Sequence, residues 1–289
     1  MTVYRYLAYI LALGLRRLNI LRFLPKNYLS YGLGKLAHVP WPRPLNTALI
    51  SWFASTYKIN LDEIDREISS YKSLGDFFVR TLKEGARPIG EGIVHPCDAA
   101  ITEVGKIHDQ KMIQAKGMNY KLIDLLRSQD LAGELEGGTY ITYYLCPSDY
   151  HRVHAPADML IHSSIHIPGY LWPVNPWSVR NIKNLFPCNE RLVAKLEIDK
   201  NPAALVMVGA TNVGKMTLSF DSRFVTNNLE NKIKSRDYKP PVVMRAGDSF
   251  GAFHMGSTVI MIYSPRANID PEKIKKSHVL VGQSLFLGA

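Results

Sequence analysis

One aspartate, two histidines and one serine stand out in this chain, because together they are the residue types of an activated hydroxyl nucleophile. The serine is Ser257, in Met255-Gly256-Ser257-Thr258. The histidines are His151 and His154, in Asp149-Tyr150-His151-Arg152-Val153-His154, and the aspartate is Asp98, in His95-Pro96-Cys97-Asp98. A hydroxyl that attacks the carbonyl just before it needs an uncrowded, contorted backbone, and Gly256 permits torsions barred to other residues. The chemistry this suggests is attack of Ser257 on the chain's own Gly256 carbonyl. Histidine titrates near neutrality and carries protons in both directions, which suits the two imidazoles to base and acid work. Each residue also has an ordinary reading. Ser257 can be a turn residue at the mouth of a strand, the histidines can be surface or packing residues, and Asp98 can cap a turn. A metal would suit histidines three apart, but no third ligand of suitable spacing accompanies them, and Cys97, Cys146 and Cys188 form no C-x-x-C pair. No metal is expected, and the scattered thiols suit a reducing compartment.

The elements that must position these residues fall into two blocks. Residues 1–90 read as helical and residues 91–289 as β-rich. After the Pro-rich break Val39-Pro40-Trp41-Pro42-Arg43-Pro44, Asn46 is positioned to cap a helix through about Tyr57. Residues 61–69 read as a second helix, and Ser73 opens a third before Phe77 and Phe78. Beyond Ile93, short β-branched and aromatic runs are bounded by Gly, Pro and Asn: 139–145, 191–198, 204–208 and 258–263. One helix is expected to interrupt them at 121–129. The fold class is therefore α+β, with N-terminal helices followed by a mainly antiparallel β-sandwich or barrel-like core. The 289 residues suffice for a full core, and 46% hydrophobic with 21% charged residues excludes wholesale disorder.

The net charge of +10 is concentrated at one end. No acidic residue precedes Asp62, whereas Arg5, Arg16, Arg17, Arg22, Lys26, Lys35, Arg43 and Lys58 all do. Residues 4–24 read as a helix ended by Pro25, with Leu7, Ile10, Leu11, Leu18, Leu21 and Leu24 on one face and Arg5, Arg16, Asn19 and Arg22 on the other. Its unbroken apolar run, 6–15, is half of the roughly 20 residues a span requires. The expected role is an in-plane anchor on an anionic membrane, not a nucleic-acid contact. Packing on the protein's own core is the competing reading, and the order of charges argues against a signal peptide.

One motif misleads. Gly209-Ala210-Thr211-Asn212-Val213-Gly214-Lys215 imitates most of a phosphate-binding loop, but Met216 offers no hydroxyl to Mg²⁺ and no helical run follows. A hairpin or close backbone packing is the better use of those glycines.

Taken together, the segments resemble the phosphatidylserine decarboxylases, a family of self-processing, pyruvoyl-dependent enzymes. The resemblance runs in order from about Ser73 to the C-terminus, through SLGDFFVRTLKEGARPI, HPCDAAITEVGKI, QAKGMNY, CPSDYHRVHAPA, NERL, VGATNVGKM, FHMGSTVI and VGQSL. The departures are Met255 where the family's processing motif has leucine, Asp248 where glutamate is common, and a poorly matching stretch at 221–241. The resemblance implies that His154 takes the proton of Ser257, with Asp98 holding and charging the imidazole. Ser257 then attacks Gly256, the chain is cut between 256 and 257, and Ser257 becomes a pyruvoyl group. It implies a β chain of residues 1–256 and an α chain derived from 257–289. It further implies Schiff-base capture of the serine headgroup, loss of CO₂, and proton return by His151. The expected partners are phosphatidylserine, the anionic membrane surface and the protein's own two cleaved chains, with a homodimer allowed and no nucleic acid. The expected location is peripheral, on the cytoplasmic face of a bacterial inner membrane. Leu171, Trp172, Pro173, Val174 and Trp177 are open to two readings, a lipid-facing loop or interior packing. Two alternative functions remain: a non-enzymatic membrane-surface adaptor, and a pyruvoyl decarboxylase of another amino-acid substrate.

Overall fold

In this computed structural model the described residues are 32 and 34–286, less 116, 212–214, 228–231 and 255–256, with the backbone alone described at Ser257. The amphipathic segment at 4–24 and the Met255-Gly256 pair lie outside them. Helices α1 (Arg43–Tyr57) and α2 (Leu74–Phe78) come first. Strands β1 (Ala99–Lys106), β2 (Lys111–Ala115) and β3 (Met118–Lys121) follow, then helices α3 (Leu122–Leu126) and α4 (Gln129–Leu135). Next come β4 (Thr139–Leu145), β5 (Arg152–His154), β6 (Met159–Ile167), α5 (Pro176–Asn181) and α6 (Leu185–Cys188). The chain ends with β7 (Arg191–Ile198), β8 (Asn201–Val208), β9 (Met216–Leu218), β10 (Lys234–Met244), β11 (Ser249–Phe253), β12 (Ser257–Tyr263) and β13 (His278–Val279).

The centre is an eight-stranded sheet in the order β10-β6-β7-β8-β12-β4-β1-β13, antiparallel at every pairing. A three-stranded sheet, β5-β11-β9, and the β2-β3 pair complete the strands. The class is α+β with a mainly antiparallel core.

Strand β12 shows why the sequence reads as it does. Its side chains alternate between faces, as in any strand, yet both faces are covered. Val259, Met261 and Tyr263 join a cluster with Val153, Met216, Phe250 and Phe253 from the three-stranded sheet. Ile260 and Ile262 join a second cluster with Leu122, Leu126, Leu131 and Phe186 from the helices. An unbroken apolar run is the result. Full burial of each such side chain contributes about 1.5–3 kcal/mol as an upper estimate. Both edges of β12 are also paired, with β4 over Ser257–Tyr263 and with β8 over Thr258–Tyr263.

A third cluster joins α1 to the stretch before β1, through Ile50, Phe53, Ile59, Tyr71, Phe77 and Phe78. Here three helix expectations need revision. Helix α1 begins at Arg43 with a proline in its first turn, where a missing N–H costs nothing. Asn46 is therefore not its cap; it is buried within the helix and its Nδ2 donates to Tyr71 O at 2.7 Å. Residues 61–69 do not form a helix. Ile64 bridges to Leu82, and Lys83 N donates to Glu63 O at 2.8 Å, so the backbone is committed to pairing; only a short 3₁₀ turn, Ile68–Ser70, remains. The helix expected at 121–129 is two, broken by Arg127 in the left-handed region at φ 56° and restarted by the Ser128 cap.

Of the apolar loop after β6, Leu171 and Val174 are buried while Trp177 is exposed, so interior packing accounts for most of it. No helix among the described residues is long and apolar enough to cross a membrane. The false phosphate loop leads into β9, not into a helix.

Candidate active site

Ser257 stands at the first position of β12, opposite Leu145 at the last position of β4. The chain leaves Leu145 directly into the turn that carries the histidines. Asp149 Oδ2 accepts from Cys146 N at 2.7 Å and Asp149 N donates to Cys146 O at 2.9 Å, which closes that turn. His151 follows, its carbonyl accepting from Phe253 N at 3.0 Å. Strand β5 then runs beside β11, the strand leading toward the 256–257 junction, with Arg152 opposite Ala252 and His154 opposite Ser249. In the large sheet Thr258 and Ala100 both pair with Tyr144, so Ser257, Asp98 and the turn carrying His151 lie at one end of it. In the smaller sheet His154 is set opposite Ser249, at the start of β11, and its N donates to Pro96 O at 2.8 Å.

The hydrogen bonds assign tautomers. His154 Nδ1 lies 2.7 Å from Gly247 O, and a carbonyl only accepts, so Nδ1 carries the hydrogen and Nε2 keeps its lone pair. The Tyr150 hydroxyl, 3.1 Å away, donates to Nε2. Burial lowers the His154 pKa below the ordinary histidine value; the Gly247 carbonyl bond and the field of Asp98 oppose that shift. His154 is therefore neutral near pH 7, with its Nε2 lone pair turned to Tyr150.

His151 follows the same logic more strongly. Its Nδ1 donates to Asp149 O at 2.8 Å, its ring packs 4.2 Å from that of Phe78, and its Nε2 is buried with no partner. Burial pushes its pKa down to about 3. A buried lone pair without a donor costs free energy, and such an exception to hydrogen-bond satisfaction marks a site of chemistry or an unfilled contact.

Asp98 is buried, but it does not hydrogen-bond His154. The Arg87 guanidinium grips it, with Nε at 3.1 Å from both oxygens and Nη2 at 2.7 Å from Oδ2, and Val281 N donates to Oδ1 at 2.8 Å. Arg87 Nη2 also reaches Glu63 at 2.9 Å. The influence of Asp98 on the imidazole is thus a field effect across the site, not a shared hydrogen. Replacing Arg87 by Met leaves a buried carboxylate held only by a backbone N–H, and is expected to cost about 3–5 kcal/mol of stability. Denaturant unfolding of the purified variant measures that loss.

Two features of the site are absent from the sequence reading. Tyr150 lies inside the histidine motif, four residues before His154, and its signal was that spacing. Arg87 lies eleven residues before Asp98 in a loop, and nothing in the local pattern announces the pairing. No group of three or more histidine, cysteine, aspartate or glutamate residues among those described is arranged to hold a metal.

Comparison with known proteins decides the family. The phosphatidylserine decarboxylase family model matches residues 74–287. A phosphatidylserine decarboxylase proenzyme of Anaeromyxobacter sp. (strain K) is 40% identical over 273 residues, covering 93% of this chain and 96% of the relative. The chain belongs to the phosphatidylserine decarboxylase family. Proenzymes of the same name from Vibrio parahaemolyticus and Myxococcus xanthus are 40% and 36% identical, over 85% and 86% of this chain and 88% and 89% of theirs. The chain is accordingly an enzyme of the decarboxylase class. The span matched by the family model contains Asp98, His151, His154 and Ser257 together with Arg87 and Tyr150.

Proposed function

We propose that the chain decarboxylates phosphatidylserine to phosphatidylethanolamine and CO₂ by means of a pyruvoyl group made from its own Ser257. The observation that supports this reading best is the neutral His154, whose Nε2 lone pair accepts from Tyr150 in the turn that follows Leu145, the residue paired with Ser257. Ser257 Oγ attacks the Gly256 carbonyl and the peptide nitrogen leaves, so that an ester replaces the amide. Loss of the Ser257 Cα hydrogen and rupture of its Cβ–O bond free the Gly256 carboxylate and leave dehydroalanine. Water converts that end to a ketone and releases ammonia.

The proton of Ser257 passes to Tyr150 as the phenolic hydrogen passes to His154 Nε2, a relay suited to the 3.1 Å contact. Asp98 stabilises the resulting imidazolium through space. Tyr150→Phe is then expected to slow self-cleavage by about 10–100-fold while leaving the fold intact. A time course of fragment formation tests it, and unchanged or faster cleavage removes Tyr150 from the route.

A pyruvoyl group supplies an electron sink for the pair that departing CO₂ leaves behind. The residues present fit such a group. Its carrier would be the first residue of a strand paired on both sides, and the orphaned His151 Nε2 lies in the adjacent turn. His151 is the residue assigned to return a proton to the carbon that loses CO₂, and this role requires the anionic head group to raise its pKa from about 3 when bound beside it.

The basic segment at 4–24 docks the protein on the cytoplasmic face of an anionic bilayer, where a diacyl substrate resides. Residues 1–90 thus serve attachment through their basic lead, residues 91–289 carry the reacting groups, and Arg87 from the first block holds Asp98. Purified protein tests the whole reading. Splitting into two fragments before residue 257, with CO₂ released from phosphatidylserine vesicles, supports it. An unbroken chain in an active preparation defeats it.

A further inference from the structure

Arg80, just beyond α2, is almost fully buried, yet only part of its guanidinium is used. Nη2 donates to Ser148 O and Asp149 O, each at 3.0 Å, while Nε and Nη1 are buried with no partner. A pin for the histidine turn requires Nη2 alone. Two idle N–H groups on a buried cation are costly, and among the described residues no carboxylate hydrogen-bonds them, although the fields of Asp98 and Asp149 favour the charge. Asp98 is taken by Arg87 and Val281, and Asp149 by Cys146 N and His278. The Tyr71 hydroxyl, whose field acts on Arg80, is likewise buried and unpartnered.

We propose that Arg80 receives the phosphodiester of the substrate, with Nη1 donating to one of its oxygens. This rests on the reading that the substrate is phosphatidylserine. The first support is position: Arg80 Nη2 and His151 Nδ1 are fastened to the same atom, Asp149 O, at 3.0 and 2.8 Å. The anion site and the proton-carrying imidazole are therefore held at a fixed separation, as a single head group demands. The second is charge. Arg152 Nε donates to Val79 O at 3.0 Å and to Arg80 O at 3.3 Å, bringing a second cation to the same backbone. A guanidinium N–H to a phosphate oxygen is a charge-assisted hydrogen bond, stronger than one between neutral groups.

The serine carboxylate is the other anion of the head group, and energetics disfavours it at Arg80. A guanidinium on the departing carboxylate would bind the ground state more tightly than a transition state whose charge is leaving, and would slow the reaction. The phosphodiester keeps its charge throughout, so Arg80 there strengthens binding without penalising chemistry. Phe77, whose ring centroid is 5.4 Å from the Arg80 guanidinium, and Phe78 against His151 cover these groups, so binding there requires the Leu74–Phe78 turn to move aside.

The test uses full-length Arg80→Gln and Arg80→Lys with dioctanoyl phosphatidylserine, after intact-mass measurement of self-cleavage. Two inhibitors separate the anions: glycerophosphocholine carries a phosphodiester without carboxylate or primary amine, and N-acetyl-L-serine carries a carboxylate without phosphate. Both variants are expected to cut, with KM raised at least about tenfold; kcat is expected to fall as well, because either change removes the Nη2 bonds to Ser148 O and Asp149 O, so the two inhibitors carry the assignment. Glycerophosphocholine inhibition should weaken by at least about tenfold in Arg80→Gln, with N-acetyl-L-serine inhibition unchanged. Loss of N-acetyl-L-serine inhibition alone would overturn the phosphodiester assignment. So would wild-type insensitivity to glycerophosphocholine, an unchanged KM, or failure of both variants to cut. Absence of CO₂ release by the wild-type protein sinks the substrate reading instead.

Discussion

Protein carrying Ser257→Ala is expected to remain a single chain of about the full 32.6 kDa and to release no CO₂ from phosphatidylserine. The argument has two parts. Alanine has no oxygen to attack Gly256, so no ester forms and no ketone can follow from it. The strand itself should be unharmed: the backbone of residue 257 pairs with Leu145, and β12 is secured by Val259 to Ile262 further along. The variant should therefore fold, keep its unfolding midpoint, and fail only in chemistry. Intact mass and a CO₂-release assay provide the measurement, with an expected activity loss of at least about 10³-fold, the scale on which loss of a nucleophile acts. A cut or active Ser257→Ala protein would contradict the proposed function outright.

The second large effect concerns the division of labour between the histidines. His154→Ala should abolish cutting, because the relay from Ser257 then has no terminal base. His151→Ala should cut normally and then fail to decarboxylate, because His151 Nε2 is not bonded to the processing relay. A loss of about 10²–10⁴-fold is expected in the second reaction, the range of general acid–base catalysis. Fragment formation and CO₂ release, measured on the same samples, separate the two roles; loss of cutting in His151→Ala would merge them.

Acid supplies an independent reading of these imidazoles. Burial holds the pKa of His151 and His254 at about 3 and that of His95 at about 4, so all three stay neutral in the folded protein. Below the ordinary histidine value the unfolded chain binds protons that the folded chain does not, and stability falls as pH drops. The fold should therefore weaken between about pH 6.5 and 4. Exchange of His151 for Gln should shallow that slope, as denaturant midpoints across the range would show.

How much of this was legible in the sequence depended on whether local pattern or distant pairing decided the outcome. Strands β4 and β7 coincide with their aromatic and β-branched runs, whereas β12 begins one residue and β8 three residues ahead of theirs. Burial on both faces made those runs continuous. The Ser73 cap was likewise readable, since its oxygen accepts from Asp76 N three residues on. Residues 61–69 misled because acidic and apolar spacing favoured a helix, while pairing with 81–83, invisible locally, claimed the backbone. In the site, residue types and order sufficed to nominate Asp98, His151, His154 and Ser257. Their connections did not follow from types alone. Asp98 answers to Arg87, and His154 to Tyr150 and Gly247, because loops separated by up to ninety-three positions meet there. Arg80 passed unnoticed within a matching string, since a buried arginine reads in sequence as an exposed one.

The place of β12 in the large sheet has a consequence for the life history of the molecule. Once severed ahead of residue 257, the shorter piece owns an inner strand, with β4 on one side and β8 on the other, and also the segment whose Val281 N–H binds Asp98. While the fold lasts, the two pieces behave as one body. After complete unfolding, reassembly would require two separate polymers to meet, so recovery becomes dependent on concentration where the uncut precursor's is not. The proposed cleavage would thus replace a fold recovered at any dilution by one whose recovery depends on how concentrated the two pieces are.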